Sequence, residues 1–146
     1  MLFFTDANLI RIGWVTDVTD SLQAEGIRYT LFSDVTPNPR DYQVMDGADL
    51  YQRSDCDSIM VIGGGSLIDC AKGIGIVVSN KGHVLEFEGV DNVLISPPPL
   101  ICIPTTAGSG ADISQFFMIN DTERKIKIAI VSEKIVLESH SLIRSP

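Results

Sequence analysis

Residues 62–72 read Ile62-Gly63-Gly64-Gly65-Ser66-Leu67-Ile68-Asp69-Cys70-Ala71-Lys72: an apolar strand ends, three glycines turn the chain, and a helix begins. Glycine lets a backbone approach a ligand closely and reach positive φ without steric cost. Ser66 reads as the N-cap of that helix, with Asp69 three positions on as its capping-box partner. The unpaired N–H groups of such a first turn, aligned with the helix dipole, form an anion site made of backbone. A pyrophosphate placed there needs no lysine. The stretch has neither the GKS or GKT of a Walker A loop nor the GxGxxG spacing of the common dinucleotide fingerprint. Gly73 and Gly75 each cost the helix roughly 1 kcal/mol against alanine. Close packing against the sheet by a central helix, apolar at Leu67, Ile68, Cys70, Ile74, Ile76, Val77 and Val78, accounts for that cost. A merely structural turn is the alternative, although it has no use for three glycines in a row. A local helical ion pair is an alternative role for Asp69 and Lys72, and for Lys72 it is the favoured one.

Outward from this turn, Ser58–Ile62 is the strand that feeds it and Ser66 to about Ser79 the helix that leaves it. Upstream, Leu2–Thr5 is a short strand, and Val15, Val18 and Leu22 mark one face of a helix that Gly26 ends. Ile27–Phe32 is a second strand. Pro37-Asn38-Pro39 then breaks the chain before a helix from about Asp41 to Arg53. Downstream, Pro97-Pro98-Pro99 closes an irregular stretch ahead of a strand at Leu100–Ile103. The order β-α-β-α-β-α-β predicts an α/β protein with a Rossmann-like parallel sheet and flanking helices. Ile113–Ile119 and Ile126–Val131, on either side of the polar run 120–125, predict a β-hairpin.

Beyond the strand Leu100–Ile103 lies a second loop, Pro104-Thr105-Thr106-Ala107-Gly108-Ser109-Gly110. Ligands of open α/β sheets bind beyond the carboxyl ends of the strands. Thr105, Thr106 and Ser109 offer hydroxyls there for phosphate or ribose. Asp6 ends the first strand on the same edge. Its carboxylate can accept from an adenosine ribose and repel a 2′-phosphate, or it can simply cap a helix.

The 146 residues make one domain with a single core. With 45% hydrophobic and 21% charged residues, the composition is that of a soluble globular protein. The net charge of −8 excludes a nucleic-acid footprint, which needs clustered Lys and Arg. It does not exclude a phosphorylated cofactor, because backbone amides bind phosphate. No apolar run reaches the ~20 residues of a membrane span, and no signal peptide is evident at the N-terminus. Cys56, Cys70 and Cys102 form no CxxC pair and read as reduced thiols, which suggests a cytoplasmic protein. Met1 leads directly into a strand, and the chain stops just after an apolar patch, at Ile143–Pro146. Both ends suggest an incomplete unit.

The Gly63–Lys72 stretch resembles the GGGSxxDxAK signature of the iron-containing alcohol dehydrogenases. Pro104–Asp112 resembles their PTTAGTGSE loop, Thr5-Asp6-Ala7-Asn8-Leu9 with Gly13 their TDxxLxxxG stretch, and Pro37-Asn38-Pro39 their PNP. The likeness spans nearly the whole chain, with the motifs in order. It implies a dehydroquinate-synthase-like N-terminal domain across residues 1–146, and a helical metal-binding domain beyond them. It implies NAD(P)-dependent interconversion of small alcohols and aldehydes or ketones, with NAD favoured over NADP. The resemblance puts Gly63, Gly64, Gly65, Ser66 and Asp69 beside the pyrophosphate and nicotinamide, and Thr105, Thr106 and Ser109 along the cofactor. Lys127 would reach the nicotinamide ribose, with Asp6 and Asn38 facing the adenosine end. Asp112 stands where the family usually has Glu, and Phe116 where some members carry Asn. The family's iron or zinc ligands belong to the helical domain. His83 and His140 read as surface or loop residues.

Intact cofactor loops without a cluster of metal ligands predict a chain that binds a dinucleotide but does not turn over alcohol alone. The alternative is a non-catalytic module that associates, for instance as a homo-oligomer, through an exposed sheet edge. A third reading is a phosphosugar or nucleotide hydrolase using Asp69 and Asp112, which lacks an evident base.

Overall fold

The computed structural model describes residues 1–135 and the backbone of 139 and 140. Among the described residues, five parallel strands form the main sheet in the order β2-β1-β3-β5-β8: Thr30–Phe32, Leu2–Phe4, Ile59–Gly63, Leu100–Pro104 and Ser139–His140. Parallel neighbours need long crossovers. Between β1 and β2 run helices α1 (Ala7–Arg11) and α2 (Trp14–Ala24); α3 (Asp41–Arg53) links β2 to β3, and α4 (Gly65–Asn80) follows β3. Strands covered on both faces read as unbroken apolar runs. Accordingly Leu2, Phe3 and Phe4 are fully buried, as are Ile59, Val61 and Ile62.

Helix α4 is the centre of the protein. It is buried along most of its length, including Leu67, Ile68, Cys70, Ala71, Ile74 and Ile76. Its inner glycines face close neighbours. A Cβ on Gly73 would sit 3.0 Å from Val44 of α3 and 3.4 Å from Phe117, and one on Gly75 would sit 3.0 Å from Pro97. Close packing thus accounts for both glycines, although the partners are α3, the hairpin and the proline run more than the sheet.

The predicted hairpin is present as β6 (Phe116–Asp121) and β7 (Ile126–Val131), antiparallel, with β4 (Gly89–Val90) parallel to β7. Several boundaries differ from expectation. The second strand starts at Thr30, because Ile27 instead donates its amide to Leu22 O in closing α2 after Gly26 (φ 69°). The first hairpin strand starts at Phe116, because Ile113 and the residues before it are gathered into a turn, Ile113 N donating to Gly110 O. The short helix α1 was not legible as a separate element. Its N-cap is Asp6, whose Oδ1 accepts from Leu9 N at 2.8 Å. Residues 143–146, where the chain stops, lie outside the described residues.

The hairpin turn is fixed by Asp121, whose side chain is buried. Its Oδ1 accepts from the amides of Glu123 and Arg124 (3.0 Å each), and Arg124 Nε closes on Oδ2. The Arg124 amide and guanidinium hold this carboxyl below the usual carboxylate range. A carboxyl with a depressed folded-state pKa adds stability above its unfolded value, about 3.9, and loses it as pH falls through the folded value. Thermal unfolding of wild type and Asp121→Asn from pH 7 to 2 should therefore give two melting curves that differ at neutral pH and converge below pH ~4. A gap that stays constant down to pH 2 would contradict this account of the turn.

Candidate functional site

In their order along the chain, the five parallel strands lie 2-1-3-4-5 across the sheet, so the connections leave in opposite directions from β1 and β3. A crevice opens where the strand order reverses, outside the carboxyl ends of the strands. The structure has a cleft of about 430 Å³ at that place, lined by Asp6 and Ala7 after β1, Gly64 and Gly65 after β3, and Thr105 and Thr106 after β5. A second cleft of about 310 Å³ adjoins it through Gly65 and Ser66 and reaches Asp69, Ser109 and Ser114. A larger hollow, about 660 Å³ between Met1, Arg28 and Ser58, lies at the amino edge of the sheet, away from the strand ends where ligands of such sheets bind.

The glycine turn differs in detail from its sequence reading. Gly64, not Ser66, is the N-cap of α4, in extended conformation (φ −82°, ψ −174°), and Gly65 is the first helical residue. The first helical hydrogen bond is Ile68 N to Gly64 O at 3.1 Å. Among the described residues, no hydrogen bond takes up the amides of Gly65, Ser66 or Leu67. They are the unpaired donors that every helix start exposes, and Gly65 and Ser66 line both clefts. The helix start is free.

Side chains at Gly64 and Gly65 would fill this space. A Cβ on Gly64 would lie 3.2 Å from Thr106 Oγ1, and one on Gly65 would lie 3.0 Å from Ser109 Oγ. The two loops are joined at their roots, Thr105 N donating to Gly63 O at 3.0 Å. Gly63 itself is the last residue of β3 and is buried. In the threonine loop, Gly108 and Gly110 take φ of 101° and 62°, where a side chain would strain the turn.

Asp69 forms no capping box. Its Oδ2 accepts from Met118 N, 3.2 Å away on β6. Burial raises its pKa, opposed by the Met118 amide and by the charges of Lys72 and Lys127. Nor is Lys72 its local ion-pair partner. The ammonium is buried, and it donates to the carbonyls of Ala111, Ser114 (3.0 Å) and Phe116 (3.3 Å) and to the Ser114 hydroxyl (3.0 Å). Burial lowers its pKa, opposed first by the Asp69 charge. Both side chains leave the helix for a segment some 40 positions away, which spacing alone does not reveal.

Asn38 and Lys127, assigned by resemblance to opposite ends of a cofactor, touch each other. Lys127 Nζ donates to Asn38 Oδ1 at 3.2 Å. Asn38 takes a left-handed conformation (φ 59°); its amide donates to Ser66 Oγ at 3.4 Å and its carbonyl accepts from Asn120 Nδ2 at 3.0 Å. Ser114 and Asn120, which tie these groups together, were not among the expected residues. Each is an ordinary polar residue with no motif around it.

Among the described residues, no three His, Cys, Asp or Glu side chains gather as metal ligands. His83 Nδ1 accepts from Leu85 N at the head of a short 3-10 turn, and the side chain of His140 lies outside the described residues. Cys70 and Cys102 are buried, and burial keeps their thiols neutral, Cys102 pushed up to about 12. No helix among the described residues is long and apolar enough to cross a membrane.

The chain is similar in sequence and fold to known proteins. The chain is 33% identical to the NAD-dependent methanol dehydrogenase of Bacillus methanolicus, across 99% of this chain and 39% of that protein. It is 37% identical to the 1,3-propanediol dehydrogenase of Klebsiella pneumoniae, across 90% of this chain and 34% of that protein. The crystal structure of a 1,3-propanediol oxidoreductase superposes with a TM-score of 0.91 at 35% identity, covering 97% of this chain and 37% of that one. The chain therefore spans between a third and two fifths of the length of these relatives. The sequence model of the iron-containing alcohol dehydrogenases matches residues 1–138, and the chain belongs to that family.

Proposed function

We propose that this chain binds a nicotinamide dinucleotide, NAD in preference to NADP, and is the coenzyme-holding part of an oxidoreductase that interconverts small alcohols and aldehydes. The observation that carries the reading is the set of unbonded amides at Gly65, Ser66 and Leu67, opening on the crevice between β1 and β3. They suit a diphosphate, which the helix dipole favours as well. The glycines at 64 and 65 leave room for it against Thr106 and Ser109.

Asp6 stands at the end of the cleft nearest β1. Its Oδ1 is engaged with Leu9 N, while Oδ2 has no partner among the described residues and suits the ribose hydroxyls of an adenosine. The second cleft, beside Asp69 and Ser109, suits the nicotinamide half. Bound NAD supplies a ring that accepts or returns hydride. The chain's own residues orient that ring and hold the diphosphate. No cluster of ligands among the described residues fits iron or zinc, and no metal chemistry is assigned to them. The chain alone should hold coenzyme without oxidising alcohol.

Calorimetric titration tests this. NADH should bind one per chain, with NADPH roughly tenfold weaker or worse because Asp6 opposes its 2′-phosphate. Ethanol or 1,3-propanediol with NAD should give no NADH. Absence of heat with NADH would sink the proposal.

A further inference from the structure

We infer that Lys72 is a positioning residue for the coenzyme cleft: its buried ammonium pins the threonine loop from behind, at Ala111, Ser114 and Phe116. The effect on coenzyme affinity rests on the dinucleotide reading above, whereas the effect on the loop does not.

Among the described residues, apart from the short-range bonds of its own serines (Ser109 Oγ accepting from Ala111 N, Ser114 Oγ donating to Phe116 O and Ala111 O), the loop has little else to hold it. From Thr105 to Gln115 its backbone bonds are Thr105 N to Gly63 O at one root, Ile113 N to Gly110 O within the turn, and Ser132 N to Gln115 O at the other end. Between them the chain turns through two glycines with positive φ. No strand or helix fixes this stretch. Lys72 is 1% exposed and offers three hydrogens to four oxygens, all from residues 111–116. Neutral side chains of that length cannot satisfy so many acceptors at one point. Asp69, one turn earlier on the same helix, ties the next residues by its bond to Met118 N. Burial also pushes the Lys72 pKa down, as a desolvated cation requires, with the Asp69 charge opposing.

The consequence for the site is geometric. Ser109 stands two residues before Ala111, and its hydroxyl accepts from the Ala111 amide at 3.4 Å. The same Ser109 forms the wall 3.0 Å from the Cβ position of Gly65, where the two clefts meet. The ammonium that fixes Ala111 O therefore sets the width of that neck without reaching the cleft itself: Lys72 lines neither cleft.

Lys72→Met keeps the length of the side chain and removes the donors. Two quantities are read on the intact chain: NADH affinity by fluorescence titration, and native-state thermolysin cleavage, mapped by mass spectrometry. Cleavage between residues 105 and 116 should rise roughly tenfold, with cleavage in β1, β3 and α4 unchanged, since local opening is separable from global unfolding. NADH affinity should fall by about tenfold in parallel. Cleavage rising everywhere in proportion, or unchanged in the loop, overturns the inference; so does NADH affinity within twofold of a wild type that binds. If wild type itself does not bind NADH, the dinucleotide reading fails while loop cleavage still decides the role of Lys72. Should Lys72→Met not fold, Lys72→Gln decides: its amide keeps a polar group at the position but offers two hydrogens in place of three and reaches less far. Loop-confined cleavage raised roughly two- to fivefold upholds the inference, and an unchanged rate overturns it.

Discussion

Gly65→Val should abolish coenzyme binding and leave the fold standing. Gly65 is the first residue of α4 and its φ is not positive, so valine can adopt the backbone without strain. The change costs the helix nothing in propensity, since glycine is the poorer helix former. The damage falls on the space in front. The Cβ alone comes within 3.0 Å of Ser109 Cβ and Oγ, and two further methyls would stand in the junction of the clefts. A diphosphate must approach the amides of that turn to hydrogen-bond distance, and a valine there holds it off. Titration with NADH should show a loss of roughly 100-fold or more, about 2.8 kcal/mol. The melting temperature should stay within a few degrees of wild type. An NADH affinity unchanged by Gly65→Val would mean that the coenzyme, if bound, lies elsewhere.

A large loss of stability is expected at Phe117. Its ring is fully buried on β6, against α4 at Gly73. Helix and hairpin are in contact here because a glycine faces a phenylalanine. Truncation to alanine removes the ring and leaves a cavity that flanking β structure fills poorly, a change worth about 3–5 kcal/mol. Domains of this size are stable by only ~5–15 kcal/mol in total. At roughly 2–4 °C per kcal/mol, Phe117→Ala should lower the melting temperature by on the order of 10 °C. The flanking bonds, Phe116 O with Lys72 and Met118 N with Asp69, would loosen as well. Denaturant unfolding followed by circular dichroism gives the number directly. A loss under ~1 kcal/mol would show that the hairpin is not docked as described.

Much of this architecture was legible because its signals are local. Leu2–Phe4, Ile59–Gly63 and Leu100–Pro104 are short apolar runs bounded by turn residues, and α4 follows its glycines as patterned. The parallel sheet follows from their alternation with helices. The free amides of α4 also follow, since they depend on a strand–turn–helix succession and not on distant partners. What stayed hidden was every choice a side chain makes between a near and a far partner. Ser66 and Asp69 have the spacing of a capping box, yet Ser66 Oγ takes the amide of Asn38 and Asp69 takes that of Met118. Asp69 and Lys72 have the spacing of a helical ion pair, yet Lys72 binds the segment leading into the hairpin and Asp69 the hairpin's first strand. Exposed helical pairs contribute only ~0.2–0.5 kcal/mol, less than an unpaired buried amide or carbonyl costs. Tertiary demand therefore outweighs local pattern. The two-residue strands β4 and β8 carry too little sequence to announce themselves.

The place of β1 in the sheet has a consequence for how the protein is made. It is flanked on both sides, Leu2 lying opposite Thr30 on β2 and Ile59 on β3. A ribosome adding ~5–20 residues per second delivers Ile59 roughly 3–11 s after Leu2. For that interval Leu2, Phe3 and Phe4 have left the translation machinery without the neighbour that will cover them, three adjacent apolar side chains open to chaperones or to other nascent chains.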